Sequence, residues 1–196
     1  MALTVIGTRM SRTFRVLWML EELGLDYTHT PAAPRSDTVR DVNPQGKIPV
    51  LVEDGFVLRD STAILTYLAD KHGALTFPAG SPERAQQDAL TFRILDEIDA
   101  LLWTAARHSF ILPEEMRVPE VKESLKSEFA CNLQGLSEEI EGPFLMGETL
   151  TIPDLILCHC GGWAMTAKFP EAPRAFKDYA KNLRSRPAFE RAAARD

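Results

Sequence analysis

Apolar and polar positions follow two rhythms along this chain, and the change falls near residue 74. Before it, short β-branched runs are spaced by helical patterns. Residues 3–6 (Leu-Thr-Val-Ile) read as a buried strand. After the loop 7–10, residues 12–23 are apolar on most sides through Phe14, Val16, Leu17, Trp18, Leu20 and Leu23, with Glu21 and Glu22 as a polar strip. Gly24 ends that helix. Residues 27–30 predict a second strand, parallel to the first with a right-handed crossover. A polar, Pro-punctuated stretch, 31–41, holds at most a short irregular helix. Strands at 50–53 and 56–58 then flank Asp54-Gly55, a hairpin signal. Residues 61–72 form a helix stopped by Gly73. The predicted order is β-α-β-α-β-β-α.

Beyond this point only helical periodicity remains. Residues 75–81 read as a linker, and Pro82 opens a long helix to about residue 112, with Ala85, Ala89, Phe92, Leu95, Ile98 and Leu102 on its inner face. Further helices are expected at 119–141, 151–168 and 173–184, with a short tail from Pro187-Ala188-Phe189. Thr151-Ile152-Pro153-Asp154 is an N-cap with an acid at its third helical position. The fold class is therefore α/β plus all-α: one α/β domain over 1–74, then an all-helical domain over 82–196.

With 45% hydrophobic and 26% charged residues in 196, the chain has the composition of an ordinary globular protein. A net charge of −6 argues against nucleic acid or anionic membrane as partner, though a local basic cleft remains compatible with it. No apolar run approaches the roughly 20 residues of a membrane span, and the first residues lack the basic leader and apolar core of a signal peptide. Three cysteines without framework spacing fit a reducing compartment, so a cytoplasmic location is expected.

Three stretches carry candidate chemistry. Asn43-Pro44-Gln45-Gly46-Lys47-Ile48-Pro49-Val50 is a turn running into a strand, and a cis Ile48–Pro49 bond would present Val50 like a free sheet edge to an extended peptide. Asp60-Ser61 precedes a helix, with Ser61 as its expected N-cap beside a carboxylate. Ser11 begins the first helix, where unpaired N–H groups favour an anion. It lacks the Asp/His partners or G-x-S-x-G elbow of an acyl-transfer nucleophile. It can simply cap the helix, or donate a hydrogen bond to a bound thiolate. Lowering a thiol pKa from ~8.5 to ~6.5 takes about 2.7 kcal/mol, which one charge-assisted hydrogen bond plus a helix-dipole contribution supplies. The trio Cys158-His159-Cys160 has no second ligand pair and is expected to pack as core, as is Cys131. No metal site is expected.

Together, Ser11 four residues before Arg15, the Asn43-Pro44…Ile48-Pro49 turn, the Asp60-Ser61 pair and the Thr151-x-x-Asp154 helix start resemble the cytosolic glutathione S-transferases, serine-type with a theta- or delta-like pattern. The resemblance covers the whole chain and implies a thioredoxin-like first domain and a helical second one. It implies glutathione as co-substrate, with Ser11 as the catalytic residue stabilising the thiolate, or Thr13 in its place. Lys47, Ile48, Pro49, Val50, Asp60 and Ser61 would hold the tripeptide. Arg9, Met10, Trp103, Arg107 and Phe110 would line the pocket for an apolar electrophile, although helical aromatics such as Trp103 and Phe110 are core residues by default. A homodimer built around the long helix is implied too. The chain departs from the pattern at Gly46, where theta- and delta-like members often carry a histidine, at Thr62, often basic, and at Pro153, usually a small residue. Arg12 stands where zeta-like isomerases have a cysteine, and positions 10–13 lack the cysteine of thiol-transfer relatives. A glutathione-binding interaction module with little catalysis, or a glutathione-dependent peroxidase or isomerase using the same site, are the alternative readings.

Overall fold

The computed structural model describes residues 2–195. Contacts divide the chain into two units, Met1–Ala79 with Leu183–Asp196, and Gly80–Asn182.

The first unit contains β1 (Leu3–Ile6), α1 (Phe14–Leu23), β2 (Thr28–Thr30), α2 (Asp37–Arg40), β3 (Val50–Glu53), β4 (Phe56–Arg59), α3 (Ser61–His72) and, from the far end of the chain, α9 (Pro187–Ala193). Its sheet has the order β2-β1-β3-β4. β1 pairs parallel with β2 and antiparallel with β3, and β3 pairs antiparallel with β4. This is the predicted β-α-β-α-β-β-α order in a thioredoxin-like arrangement. Asp54 and Gly55 turn the hairpin with φ of 46° and 89°, and such positive values at both central residues match the twist of the flanking strands. The core holds Val5, Leu17, Leu51, Ile64, Leu65 and Leu68, all fully buried. Ile6, Val39 and Val50 form a smaller cluster with Ile48 and Val57 packed against it, so α2 is fastened beside the cis Ile48–Pro49 turn.

Two expectations change here. β3 is an inner strand: Val50 lies opposite Ile6 on one side and Arg59 on the other, so it is not a free sheet edge. Pro49 fits directly before the ladder because its missing N–H costs nothing there. The last helix, expected within the helical domain, packs on α1 instead. Phe189 meets Phe14 and Trp18 edge-on with ring centroids 5.0 Å away in each case. Arg186 clasps both oxygens of Glu22, at 2.6 and 2.8 Å, and Arg191 reaches Glu21 at 2.7 Å. The polar strip of α1 is the seat of α9.

The second unit holds α4 (Pro82–Ile94), α5 (Ala100–Ala106), α6 (Val121–Glu138), α7 (Ile152–Thr166) and most of α8 (Arg174–Arg184). α4 and α5 belong to the predicted long helix, interrupted by a wide turn at Leu95–Asp99 and followed by another at Arg107–Ile111; the Leu112 N–H donates five residues back to Arg107 at 3.0 Å. Such wide turns inside helices often mark functional segments. The inner face of α4 differs from the expected one. Arg84, Gln87, Thr91 and Ile94 are buried, while Ala85 and Ala89 are exposed and Phe92 is 65% exposed. The buried polar residues are satisfied locally: Arg84 bonds Asp88 at 2.9 Å, and the Thr91 hydroxyl donates to the Gln87 carbonyl at 2.8 Å. Apolarity alone therefore pointed to the wrong stripe. From Ile98 onward the expected face is the buried one.

The helix start at Thr151 is a capping box, as predicted. Asp154 is fully buried and accepts from the Thr151 N–H at 2.8 Å, the Leu145 N–H at 2.8 Å and the Tyr179 hydroxyl at 2.9 Å. One carboxylate thus ties α7 to the loop before it and to α8. Cys158 and Cys160 are buried as expected, whereas Cys131 is exposed on α6, a correction: its helix turns that position outward. Among the described residues no helix is long and apolar enough to cross a membrane.

Replacing Asp154 by Ala strands three donors at once, two of them buried, and the expected loss is about 3 kcal/mol, read as a lower urea midpoint with little change in slope. Glu21 gives a pH prediction. Burial pushes its carboxyl up, but hydrogen bonds from Arg191, Tyr27 and Arg195 outweigh this and hold it below the usual carboxylate range. A depressed folded pKa adds stability above the unfolded value, near 4.3, and the gain is lost as pH falls through the folded one. Glu21→Gln should therefore flatten the acid limb of the stability–pH curve below about pH 5.

Candidate functional site

Ser11 occupies a break in the helix. Met10 and Ser11 have non-helical angles, and Ser11 is extended at φ −134° and ψ −171°, so helical geometry begins at Arg12. Its hydroxyl accepts the Thr13 N–H at 3.2 Å, an N-cap bond. The one hydroxyl proton goes to the Thr8 carbonyl at 2.7 Å, with the Thr13 hydroxyl oxygen as the alternative acceptor at 2.9 Å. Ser11 is half-buried, while Thr13 is fully buried and fills the space beside Gly7, where an added Cβ would stand 2.3 Å from the Thr13 hydroxyl oxygen. Of these two residues Ser11 is the one that keeps part of its surface accessible.

The loop before Pro49 is built around Asn43, which is buried. Its side-chain amide donates to the Lys47 carbonyl at 2.8 Å, and its backbone carbonyl accepts the Gly46 N–H at 2.7 Å. Gly46 is required on two counts: its φ is +68°, and a Cβ there would lie 2.9 Å from the Cα of Arg35. A histidine cannot occupy this place without moving the loop. The Arg35 N–H donates to the Gly46 carbonyl at 2.8 Å, which seats an exposed guanidinium-bearing residue next to Lys47, also exposed. Sequence reasoning missed Arg35 because it lies in an aperiodic loop and its contact is made by backbone. Ladder pairing begins at Val50, so Ile48 and Pro49 precede the strand.

At the start of α3 the expected cap is corrected. Asp60, not Ser61, is the N-cap: its Oδ1 accepts the Thr62 N–H at 2.9 Å and the Ala63 N–H at 3.0 Å, and Ser61 is the first helical residue. Asp caps as well as Ser and adds a charge that favours the helix N-terminus. Asp60 adopts φ +75°, a sparsely populated region that Asp tolerates better than most residues. The cap uses one carboxylate oxygen and leaves the role of the other undefined. Ser61 is buried at 3% exposure, against the first turn of α3.

The expected electrophile-pocket residues fall in both units. Arg9 is half-buried and Met10 is 79% exposed, in the loop before Ser11. Trp103, on α5, is half-buried; Arg107 and Phe110, in the wide turn after it, are exposed, Phe110 at 67%. Phe110 is not a core residue, contrary to the default for a helical aromatic. Among the described residues no group of His, Cys, Asp and Glu side chains could hold a metal ion.

The first unit is thus a thioredoxin-like fold with a proline turn and a capped helix, followed in the chain by a helical unit. Residues 10–71 match the family described as "Glutathione S-transferase, N-terminal domain". A mouse protein, glutathione S-transferase theta-2, is 33% identical over 130 residues, 62% of this chain and 52% of its own length, so the alignment spans about half of that relative. Two crystal structures share the fold across nearly the full length. A glutathione transferase from Methylococcus capsulatus has a TM-score of 0.82 at 24% identity, covering 97% of both chains. The theta class glutathione S-transferase of Xanthomonas axonopodis pv. citri, solved with glutathione bound, has a TM-score of 0.78 at 23% identity and covers 100% of this chain and 98% of that one. Residues 10–71 thus match the glutathione S-transferase N-terminal domain, and the chain shares the fold of these two transferases.

The loop makes a direct prediction. Gly46→Ala combines positive φ with a backbone clash and should cost about 2 kcal/mol or more, while Gly55→Ala, whose Cβ meets nothing within 4 Å, should cost only the φ strain. Thermal unfolding of the two variants measures the difference.

Proposed function

We propose that this chain is a glutathione transferase in which Ser11 stabilises the thiolate. The tripeptide lies extended along the cis-proline turn. Its γ-glutamyl carboxylate meets the first turn of α3 at Ser61, and its α-ammonium meets Asp60 through the oxygen that the cap does not need. The cysteinyl backbone runs past Ile48, Pro49 and Val50. The glycyl carboxylate is met by Lys47, with Arg35 as a second cation supplied by the folding of the loop. The thiolate attacks an apolar electrophile: a carbon–sulfur bond forms as the leaving group departs with its electron pair, or as a π bond shifts in an addition. In this reading the candidates for contact with the electrophile are Arg9 and Met10 on the first unit and, on the second, Trp103, Arg107 and Phe110.

The observation that supports the reading is the partial exposure of Ser11 against the complete burial of Thr13, at a helix start whose N–H groups favour an anion. The structure also refines the energetics. To reach a sulfur the Ser11 proton must leave the Thr8 carbonyl, giving up a bond of about 1 kcal/mol for a charge-assisted one of roughly 1.5–3 kcal/mol. The net gain is near 1–2 kcal/mol, so Ser11 accounts for about one unit of thiol acidity and the helix N-terminus must supply the rest.

The exposed stripe of Ala85, Ala89 and Phe92 on α4 supports a homodimer formed around that helix, in the manner expected for the family. Sedimentation should give twice the chain mass.

Ser11→Ala should raise the pKa of bound glutathione by about one unit and lower kcat near neutral pH roughly tenfold, with glutathione affinity within twofold. Titration of the thiolate absorbance in the binary complex measures this. An unchanged pKa and rate would remove Ser11 from the chemistry. Binding to immobilised glutathione without turnover of any electrophile or hydroperoxide would favour an interaction module.

A further inference from the structure

The outer face of α1 receives far more attention from the chain than the packing of a single helix on a sheet requires. Over its C-terminal half, Glu21 accepts from Arg191 at 2.7 Å, from Arg195 at 3.1 Å and from the Tyr27 hydroxyl at 2.9 Å, and the Arg195 guanidinium sits 4.3 Å from the Tyr27 ring centroid. Glu22 is held by Arg186 and also accepts from the Trp18 indole at 2.9 Å. These polar contacts grip the end of the helix remote from Ser11.

The N-terminal half is held differently. Phe14 and Trp18, 6.2 Å apart, form with Phe189 a three-ring cluster in which Phe189 meets both edge-on, at interplanar angles of 70° and 85°. Phe14 is two residues beyond the point where helical geometry begins, and three beyond Ser11. The first turn of a helix has no preceding carbonyls to bind its N–H groups and frays unless side chains hold it. The Ser11 cap bond and the Phe189 ring packed on Phe14 are among the contacts that hold it here.

We infer that Phe189 is a positioning residue for Ser11: through Phe14 it holds the first turn of α1, and with it the hydroxyl and N–H groups that face the glutathione sulfur. The inference rests on the reading of Ser11 given above. The arginine pairs set where α9 lies along α1, and Phe189 transmits that placement to the catalytic end. A residue near the far end of the sequence thereby controls the acidity of a thiol it does not touch.

The test uses the full chain with Phe189→Ala and, as the conservative change, Phe189→Tyr. Phe189→Ala should speed amide exchange at Thr13–Arg15 more than at the end of α1. It should also raise the pKa of bound glutathione by up to one unit and lower kcat at pH 6.5 by up to tenfold, with glutathione KM within about twofold. Phe189→Tyr should restore all three. A lower melting temperature with unchanged thiol pKa and unchanged first-turn exchange would overturn the inference, because Phe189 would then be packing alone. If Ser11→Ala leaves the thiol pKa unmoved while Phe189→Ala still loosens the first turn, the serine reading fails and the hold of Phe189 on that turn stands. Should Phe189→Ala fail to fold, Phe189→Leu, which keeps the apolar bulk without the ring edges, is read by the same criteria.

Discussion

A helix start leaves backbone N–H groups without partners, and the site proposed here is built from two such starts in one domain. At Asp60 the demand is met by a carboxylate that adopts a strained φ to do so. At Ser11 it is met by a hydroxyl on an extended residue, after a break that keeps the preceding loop out of the helix. The first start carries a fixed negative charge and a buried serine, which suits a zwitterionic end of a ligand. The second carries no charge of its own, which suits a thiolate. The loop between them is rigid for a different reason: Asn43 holds it from inside, and Gly46 lets Arg35 come close.

Most of the first domain was legible because its signals are local. Asp54-Gly55 must turn a hairpin, Gly24 and Gly73 stop helices in the left-handed region, and Thr151 with Asp154 makes a capping box wherever it occurs. The misreadings arose where two chemistries compete for one position. Asp60 and Ser61 can each cap a helix, and the sequence does not say which carbonyl begins it. On α4, burial went to Arg84, Gln87 and Thr91, with Arg84 bonded to Asp88 and the Thr91 hydroxyl to the Gln87 carbonyl, while Phe92 faces outward. The hydrophobic pattern describes what prefers to leave water, not which face the neighbours leave open.

The contacts with no local signature were invisible altogether. Glu21 and Glu22 read only as a polar strip, yet their arginine partners lie more than 160 residues away, at a helix too short to announce itself. Arg35 lay in an aperiodic loop. The chain returns to its first domain after completing the second, and that return lays α9 along α1. Long-range contacts from α9 thus reach the helix that follows Ser11, the element that carries the proposed chemistry.

The most direct test of the central claim is a crystal structure of the chain with glutathione. The account predicts the sulfur within about 3.5 Å of the Ser11 hydroxyl oxygen, that hydroxyl turned away from the Thr8 carbonyl, and the γ-glutamyl end at Asp60 and Ser61. A sulfur held by backbone N–H groups alone, with Ser11 still bonded to Thr8, would contradict it.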